Sequence, residues 1–426
     1  VTGTSRIVVT VAVFATMLAL VVWRPRRYNE AWWTVLGAVA MLGLGLVSPH
    51  QAIAATLAGK NALLFLLSLL ALSLLVGKSG FFDWAAIRCA RTAAGSGRAL
   101  YRNAFVLGAI VTATLSLDTT AVILTPILLA LVKRIRLPAA PYILLCAFVA
   151  NVGSLLLPIS NLTNILFADA FHLTFASFAA AMIAPQLVAL AVTYALLRWH
   201  CRHEIPDRFD VGSLAEPASV VPHRAYFLTC VAVLGIVLVG YFLAPLAGLE
   251  PYVVAFAGSG VLAITGVATG RVGIGALGEL SWSLFPFVIG LFVAVQGLAN
   301  LGIVGTAAAW LEHLRAGSPA ELGAAAGPAA GAANLVNNLP AALLARQILL
   351  SAHASTGPVL AALIGVDVGP MVTPVGSLAT MLVLAIARRE GAELPTSRLM
   401  RFGLWATPAI VLPTLLVLIL RLVVAG

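Results

Sequence analysis

Runs of about 20 predominantly apolar residues recur from one end of this chain to the other, each long enough to cross a bilayer as a helix. They lie near 6–23, 31–48, 61–78, 178–199, 225–247, 251–270, 281–299 and 401–424. Of 426 residues, 61% are hydrophobic and only 9% charged, which leaves too little polar surface for a soluble domain. The net charge of +10 reads as the marking of cytoplasmic loops in a multi-pass membrane protein, and no nucleic-acid partner is expected. No polar stretch is long enough for a catalytic domain, so the chain is expected to move solutes and not to be an enzyme. The first run continues into Arg24, Arg26 and Arg27 without an A-x-A-like site, the pattern of a retained span rather than a cleaved signal.

Three further apolar segments, 103–132, 139–171 and 323–388, do not fit simple crossings. The first has a single formal charge, Asp118, inside SLDTTAVILTP (116–126). Basic residues mark the cytoplasmic side. Arg24, Arg26 and Arg27 place the first loop there, and two crossings bring the chain back to Lys78, Arg88, Arg91, Arg98 and Arg102. Segment 103–132 then ends in Lys133, Arg134 and Arg136. One crossing puts that cluster on the wrong side, and two need about 40 residues where about 30 are available. A re-entrant hairpin that turns at Asp118-Thr119-Thr120 resolves the conflict. Backbone of this kind is tolerated at membrane depth only when protein or a water-filled cavity surrounds it. The same bookkeeping makes 139–171 an outward crossing, 178–199 its return, 200–224 a cytoplasmic linker and 323–350 a second hairpin, dipping from outside. Segment 357–388 then crosses inward to Arg388 and Arg389, and both termini lie outside.

The two halves resemble one another. NVGSLLLPISNLTN (151–164) aligns without gaps on DVGPMVTPVGSLAT (367–380), pairing Gly153 with Gly369, Pro158 with Pro374 and Leu162 with Leu378. LDTTA (117–121) falls opposite NNLPA (337–341), and Asp118 opposite Asn338. SGFFDWAAIRCAR and LGIVGTAAAWLEHLR, before the hairpins, both read as interfacial amphipathic helices. The expected fold is an all-α membrane protein of two inverted repeats, 1–199 and 225–426. Each holds five transmembrane helices, one re-entrant hairpin and a helix broken at mid-membrane.

The breaks are rich in glycine and proline, which end helices. Breaking a helix in the membrane frees carbonyls for cations and N–H groups for anions or solute oxygens. The candidate binding residues are Asp118, Thr119, Thr120, Asn151, Ser160, Asn161, Thr163, Asn164, Asn337, Asn338, Asp367, Thr373, Gly376 and Ser377. A carboxylate at mid-membrane costs at least about 2.5–3.5 kcal/mol, so Asp118 and Asp367 are expected near a central cavity as proton carriers or cation ligands. A plainer role for each is to cap a half-helix N-terminus. Arg346 is expected to snorkel to the outer surface, and Asp169 and His172 to be solvated. Gly77-Lys78-Ser79 mimics a P-loop end, but Leu72 stands where its first glycine belongs. The cysteines, Cys89, Cys146, Cys201 and Cys230, show no metal-ligand spacing and read as small hydrophobes. No metal or cofactor is expected.

At these motifs the chain resembles the arsenite efflux transporters, the ArsB family of arsenical pump membrane proteins within the ion transporter superfamily. The resemblance rests on SGFFDWAA (79–86), D-x-x-A-x-I-L-T-P-I (118–127), SNLTNI-x-x-A-D (160–169), NNLP (337–340) and D-x-GP-x-x-TP-x-GSLAT (367–380). It implies export of trivalent arsenic and antimony hydroxides from a bacterial cytoplasm, driven by protons. It also implies a dimeric scaffold in the superfamily and, for some members, a cytosolic ATPase partner. Dicarboxylate-carrying relatives have Ser-Asn-Thr at both tips; here the tips read Leu117-Asp118-Thr119 and Asn337-Asn338-Leu339. An acidic tip repels a dicarboxylate and tolerates a neutral trihydroxide. The alternatives are a sodium-coupled dicarboxylate carrier, a sodium/proton antiporter and a passive channel for small neutral solutes.

Overall fold

The computed structural model describes residues 3–23 and 29–425. Arg24, Arg26 and Arg27, on which the orientation of the first loop rests, lie outside the described residues. All regular structure among the described residues is helical, apart from one isolated bridge between Ser96 and Arg208. Six helices are long and apolar enough to cross a membrane, and a bent pair, Leu284–Ala299 and Ile303–Glu312, makes a seventh candidate. The six are the helices that cover the expected spans at 6–23, 61–78, 178–199, 225–247, 251–270 and 401–424. The expected span 31–48 is shorter: its helix, Glu30–Gly43, stops where Gly45 takes a left-handed turn, and Ser48 caps a separate helix, Pro49–Ala58. The two amphipathic segments form the short helices Phe81–Thr92 and Ile303–Glu312.

Segment 103–132 folds as a helix–turn–helix unit. Its arms are Gly97–Thr114 and a return that starts at Leu117 and ends at Arg134. The turn is at Leu115-Ser116 and not at Asp118-Thr119-Thr120. Ser116 is fully extended, and its hydroxyl accepts the N–H of Thr119. It therefore acts as the N-cap of the return arm and leaves Asp118 in that arm's first turn. Pro126 has no N–H to donate. The arm widens to a π-helix over Thr120–Leu124, where Thr125 Oγ1 donates to the carbonyl of Thr120 at 2.9 Å. Thr112 and Thr120 join the arms through their hydroxyls at 2.8 Å. Both ends of the unit meet the linker: Arg98 pairs with Asp207 at 2.9 Å, and Arg134 donates to the carbonyl of Ser213 at 3.0 Å. Six residues of chain span at most about 20 Å, so both ends of the unit contact one short stretch of the linker.

A second helix–turn–helix unit consists of Pro319–Val336 and Asn338–Ser351, joined by Asn337 alone. Asn337 has φ/ψ of +83/153, outside the left-handed helical region and in one almost confined to glycine. Its side chain accepts from Leu339 N and donates to Val375 O at 2.9 Å.

The two interrupted helical segments share one backbone path. Ala140–Val152 passes through a 3-10 turn at Gly153–Leu155, extended Leu157, Pro158–Ser160 and extended Asn161 into Leu162–Ala170. Thr356–Val368 passes through Gly369–Met371, extended Thr373, Pro374–Gly376 and extended Ser377 into Leu378–Arg389. Leu157 and Thr373 have φ/ψ of −126/150 and −114/148; Asn161 and Ser377 have −150/143 and −138/138. The second path packs so tightly that a Cβ on Gly365 falls 2.3 Å from Ala326 O in the arm Pro319–Val336.

Candidate functional site

The tips of both helix–turn–helix units and the starts of both outgoing half-helices converge on one cavity of about 40 Å³. Its polar wall is Asp118, Asn161, Asn337 and Asn338; Leu66, Leu162, Phe287 and Leu378 are among its apolar residues. Asp118 is half-buried, and the three asparagines are buried. One water needs about 10–15 Å³ by this measure, so the space suits a few waters or a very small solute. It is far below the roughly 300–1,000 Å³ of a drug-sized pocket. Asp118 and Asn338, placed opposite each other by the internal alignment, meet here.

Asp367 lies one hydrogen bond behind this wall. It is fully buried, and its Oδ1 accepts from Asn161 Nδ2 at 2.8 Å and from Thr163 Oγ1 at 2.6 Å. Its Oδ2 has no partner. The equivalent position, Asn151, reaches across in the opposite sense and donates to Thr380 Oγ1 at 3.0 Å. The two broken helices are thus cross-linked through their own break residues.

Asp118 also borders a second cavity of about 190 Å³, with Ser73, Thr119, Glu279 and others. Thr119 Oγ1 is 2.8 Å from Ser73 Oγ. This cavity lies toward the Lys78 end of helix Lys60–Lys78, where Lys78 Nζ bonds Glu279 at 2.7 Å.

Several expected ligands do not line the cavity. Ser160 Oγ donates to Ser154 O, and Asn164 Nδ2 to Ser154 O and Leu157 O. Two of the carbonyls that the first break frees, Ser154 O and Leu157 O, thus accept from its own side chains. A carbonyl buried in the membrane must be satisfied, and these side chains are the nearest donors. Thr120 is occupied by Thr112, and Thr373 Oγ1 by the carbonyl of Asn334 at 2.8 Å. Gly376 permits a close approach: a Cβ there meets Pro370 O at 2.2 Å. Ser377 is buried with an unpartnered hydroxyl beside Leu378, which lines both cavities.

Two carboxamides escaped the sequence reading. Asn334 Oδ1 accepts from Val372 N and Thr373 N, both at 3.1 Å, and its Nδ2 donates to Gly369 O at 2.7 Å. Gln186 Oε1 accepts from Leu155 N at 2.9 Å, and its Nε2 donates to Val152 O at 2.8 Å. Each satisfies the backbone of one break. Their only signal was a polar residue within an apolar helix. Among the described residues no group of His, Cys, Asp or Glu has the geometry to hold a metal ion.

The profile of the arsenical pump membrane protein family matches residues 9–424. An arsenical pump membrane protein of Escherichia coli K12 is 32% identical over 425 residues, covering 96% of this chain and 98% of that protein. A putative arsenical pump membrane protein of Bacillus subtilis is 27% identical, covering 95% and 97%. An uncharacterized transporter of Mycobacterium tuberculosis is 26% identical, covering 90% and 92%. Among solved structures, the YdaH transporter of Alcanivorax borkumensis superposes with a TM-score of 0.61 at 16% identity, covering 99% of this chain and 98% of that one, a likeness of fold. This chain belongs to the arsenical pump membrane protein family of membrane transporters.

Proposed function

We propose that the chain is a secondary exporter of trivalent arsenic and antimony hydroxides, coupled to protons. The observation that carries this reading is the cavity of about 40 Å³ with one carboxylate and three carboxamides in its wall. A small neutral trihydroxide donates to Asp118 and accepts from asparagine N–H groups. A dicarboxylate is larger, and Asp118 repels it. On this reading both helix–turn–helix units are re-entrant hairpins from opposite leaflets. The halves 1–199 and 225–426 are inverted repeats joined by a cytoplasmic linker, and both termini lie outside. Asp118 exchanges protons where the two cavities meet, and Asp367 sets the orientation of Asn161.

Flux into inside-out vesicles, with proton and sodium gradients imposed separately, tests the proposal. Arsenite is expected to accumulate under an inward-acid gradient, and an uncoupler to abolish that accumulation. Succinate uptake driven by sodium overturns the reading in favour of a dicarboxylate carrier. Arsenite equilibration that ignores the uncoupler indicates a channel.

A further inference from the structure

Three cavities lie in series along helix Lys60–Lys78. Leu70, Ser73 and Leu74 line the cavity of about 190 Å³. Leu66 lines the central one. Gly59, at the helix start, lines a third, of about 530 Å³. The helix rises about 28 Å, close to the roughly 30 Å of a bilayer core. The third cavity is therefore at the far end of that helix from the Lys78–Glu279 pair. Its wall includes exposed Leu350 and Ser351, and also Arg346. Among the described residues Arg346 Nε has no hydrogen-bond partner, and a water-filled space supplies one.

The central cavity shares wall residues with the cavity toward Lys78 but none with the third. Three helices run from the central cavity to the third, each from its N-terminal toward its C-terminal end: Leu162–Ala170, Leu284–Ala299 and Asn338–Ser351. The last packs against both others. On each helix a residue of the central wall is followed four positions later by a residue of the third cavity's wall. The pairs are Leu162 and Leu166, Val288 and Phe292, and Leu339 and Leu343. Residues four apart share a helix face and differ by about 6 Å along its axis. The barrier between the two cavities is thus one helical turn thick. Leu166, Phe292 and Leu343 are buried, and all three are apolar. The Phe292 ring rests on Gly59, where a Cβ falls 2.3 Å from its Cε2. An apolar constriction of this kind excludes water and closes a path to polar solutes.

We propose that Leu166, Phe292 and Leu343 form the gate through which cargo leaves the central cavity, and that the cavity at Arg346 is the vestibule that receives it. The gate is closed while the central cavity connects toward Lys78, and it opens in the other half of the cycle. The identity of the cargo rests on the exporter reading above; the gate itself is tested without it.

The test uses the full chain in proteoliposomes, with radiolabelled urea as a small neutral probe that is independent of the cargo. Arsenite retention under an imposed proton gradient is read in parallel. Wild type should be tight to urea. Phe292→Ala empties the layer and joins the cavities end to end. It should raise urea entry by about tenfold or more, with or without an uncoupler, and abolish arsenite retention. Leu343→Asn nearly keeps the side-chain volume but hydrates the layer. It should leak likewise, and it serves where Phe292→Ala fails to fold. Phe65 lines a separate cavity, of about 390 Å³, at Asp169, so Phe65→Ala should stay tight. The proposal is overturned if Phe292→Ala and Leu343→Asn are as tight to urea as wild type. It is equally overturned if Phe65→Ala leaks in their place, which puts the exit at Asp169. A wild type that retains no arsenite, beside a Phe292→Ala variant that leaks urea, sinks the exporter reading and upholds the gate.

Discussion

Asp118 and Asp367 are carboxylates in similarly apolar settings, but their neighbours differ. Asp118 is half-buried on the shared edge of two cavities, where a proton and a solute both have access. Asp367 is sealed, with Oδ1 held by Asn161 and Thr163. Asp118→Asn is expected to insert and melt like wild type yet lose proton-coupled arsenite flux by about tenfold or more; full flux removes Asp118 from the mechanism. Asp367→Ala leaves two buried donors unmatched, at about 1–3 kcal/mol each. It should therefore lower the melting temperature as well as the flux, and an unchanged melt contradicts the bonding described. The cysteines contrast with both. Cys146, Cys201 and Cys230 are buried, and burial pushes the Cys89 thiol up to about 12, far from the thiolate that soft metalloids prefer. Replacing all four with alanine should preserve flux; a folded but inactive protein points instead to a thiol site.

At the scale of elements, the backbone of each break is held in part by a carboxamide from a different kind of support. Gln186, which holds Val152 and Leu155, comes from the long helix Phe175–His200. Asn334, which holds Gly369, Val372 and Thr373, comes from the arm Pro319–Val336. The second break is therefore fastened to its helix–turn–helix unit, and the first to a membrane-length helix outside one. Asn334→Ala frees three backbone groups at once and should cost several kcal/mol at about 1–3 each. Asn334→Asp keeps the acceptor for Val372 N and Thr373 N, and should recover most of the melting temperature but not the bond to Gly369 O. If both variants melt alike, Oδ1 is not the anchor. Neither carboxamide was legible in the sequence, because its partners are backbone groups more than thirty residues away and leave no local pattern. The displaced turn has the same origin. Ser116 looked no different from other polar residues of the segment until its hydroxyl was seen to cap Thr119. The breaks themselves were legible because glycine and proline act locally, and the same φ/ψ path recurs in both.

For the whole molecule, legibility came from charge. Lys133 and Arg134 follow an apolar segment too short for two crossings, which predicts a return to the side of entry; in the structure both ends of that unit contact the linker, at Asp207 and Ser213. Cavity sizes and connections were beyond such reasoning, because they depend on side-chain packing between distant segments. They make the molecule one-sided: the cavity at Asp118 shares Asp118, Leu284 and Leu378 with the space toward the Lys78–Glu279 pair. With the cavity at Arg346 it shares no wall residue. A carrier that alternates must close the first connection before it opens the second. That requirement fixes what labelling should find in a cysteine-free background. Cysteines at the exposed positions Arg98 and Arg134 should react with an impermeant maleimide from the same side of the membrane, with or without arsenite. A cysteine at exposed Ser351 should react from the other side. Labelling of 98 and 134 from opposite faces requires a full crossing between them. The tip of the first unit then no longer meets Asn337 and Asn338, and the cavity proposed for the cargo loses its carboxylate.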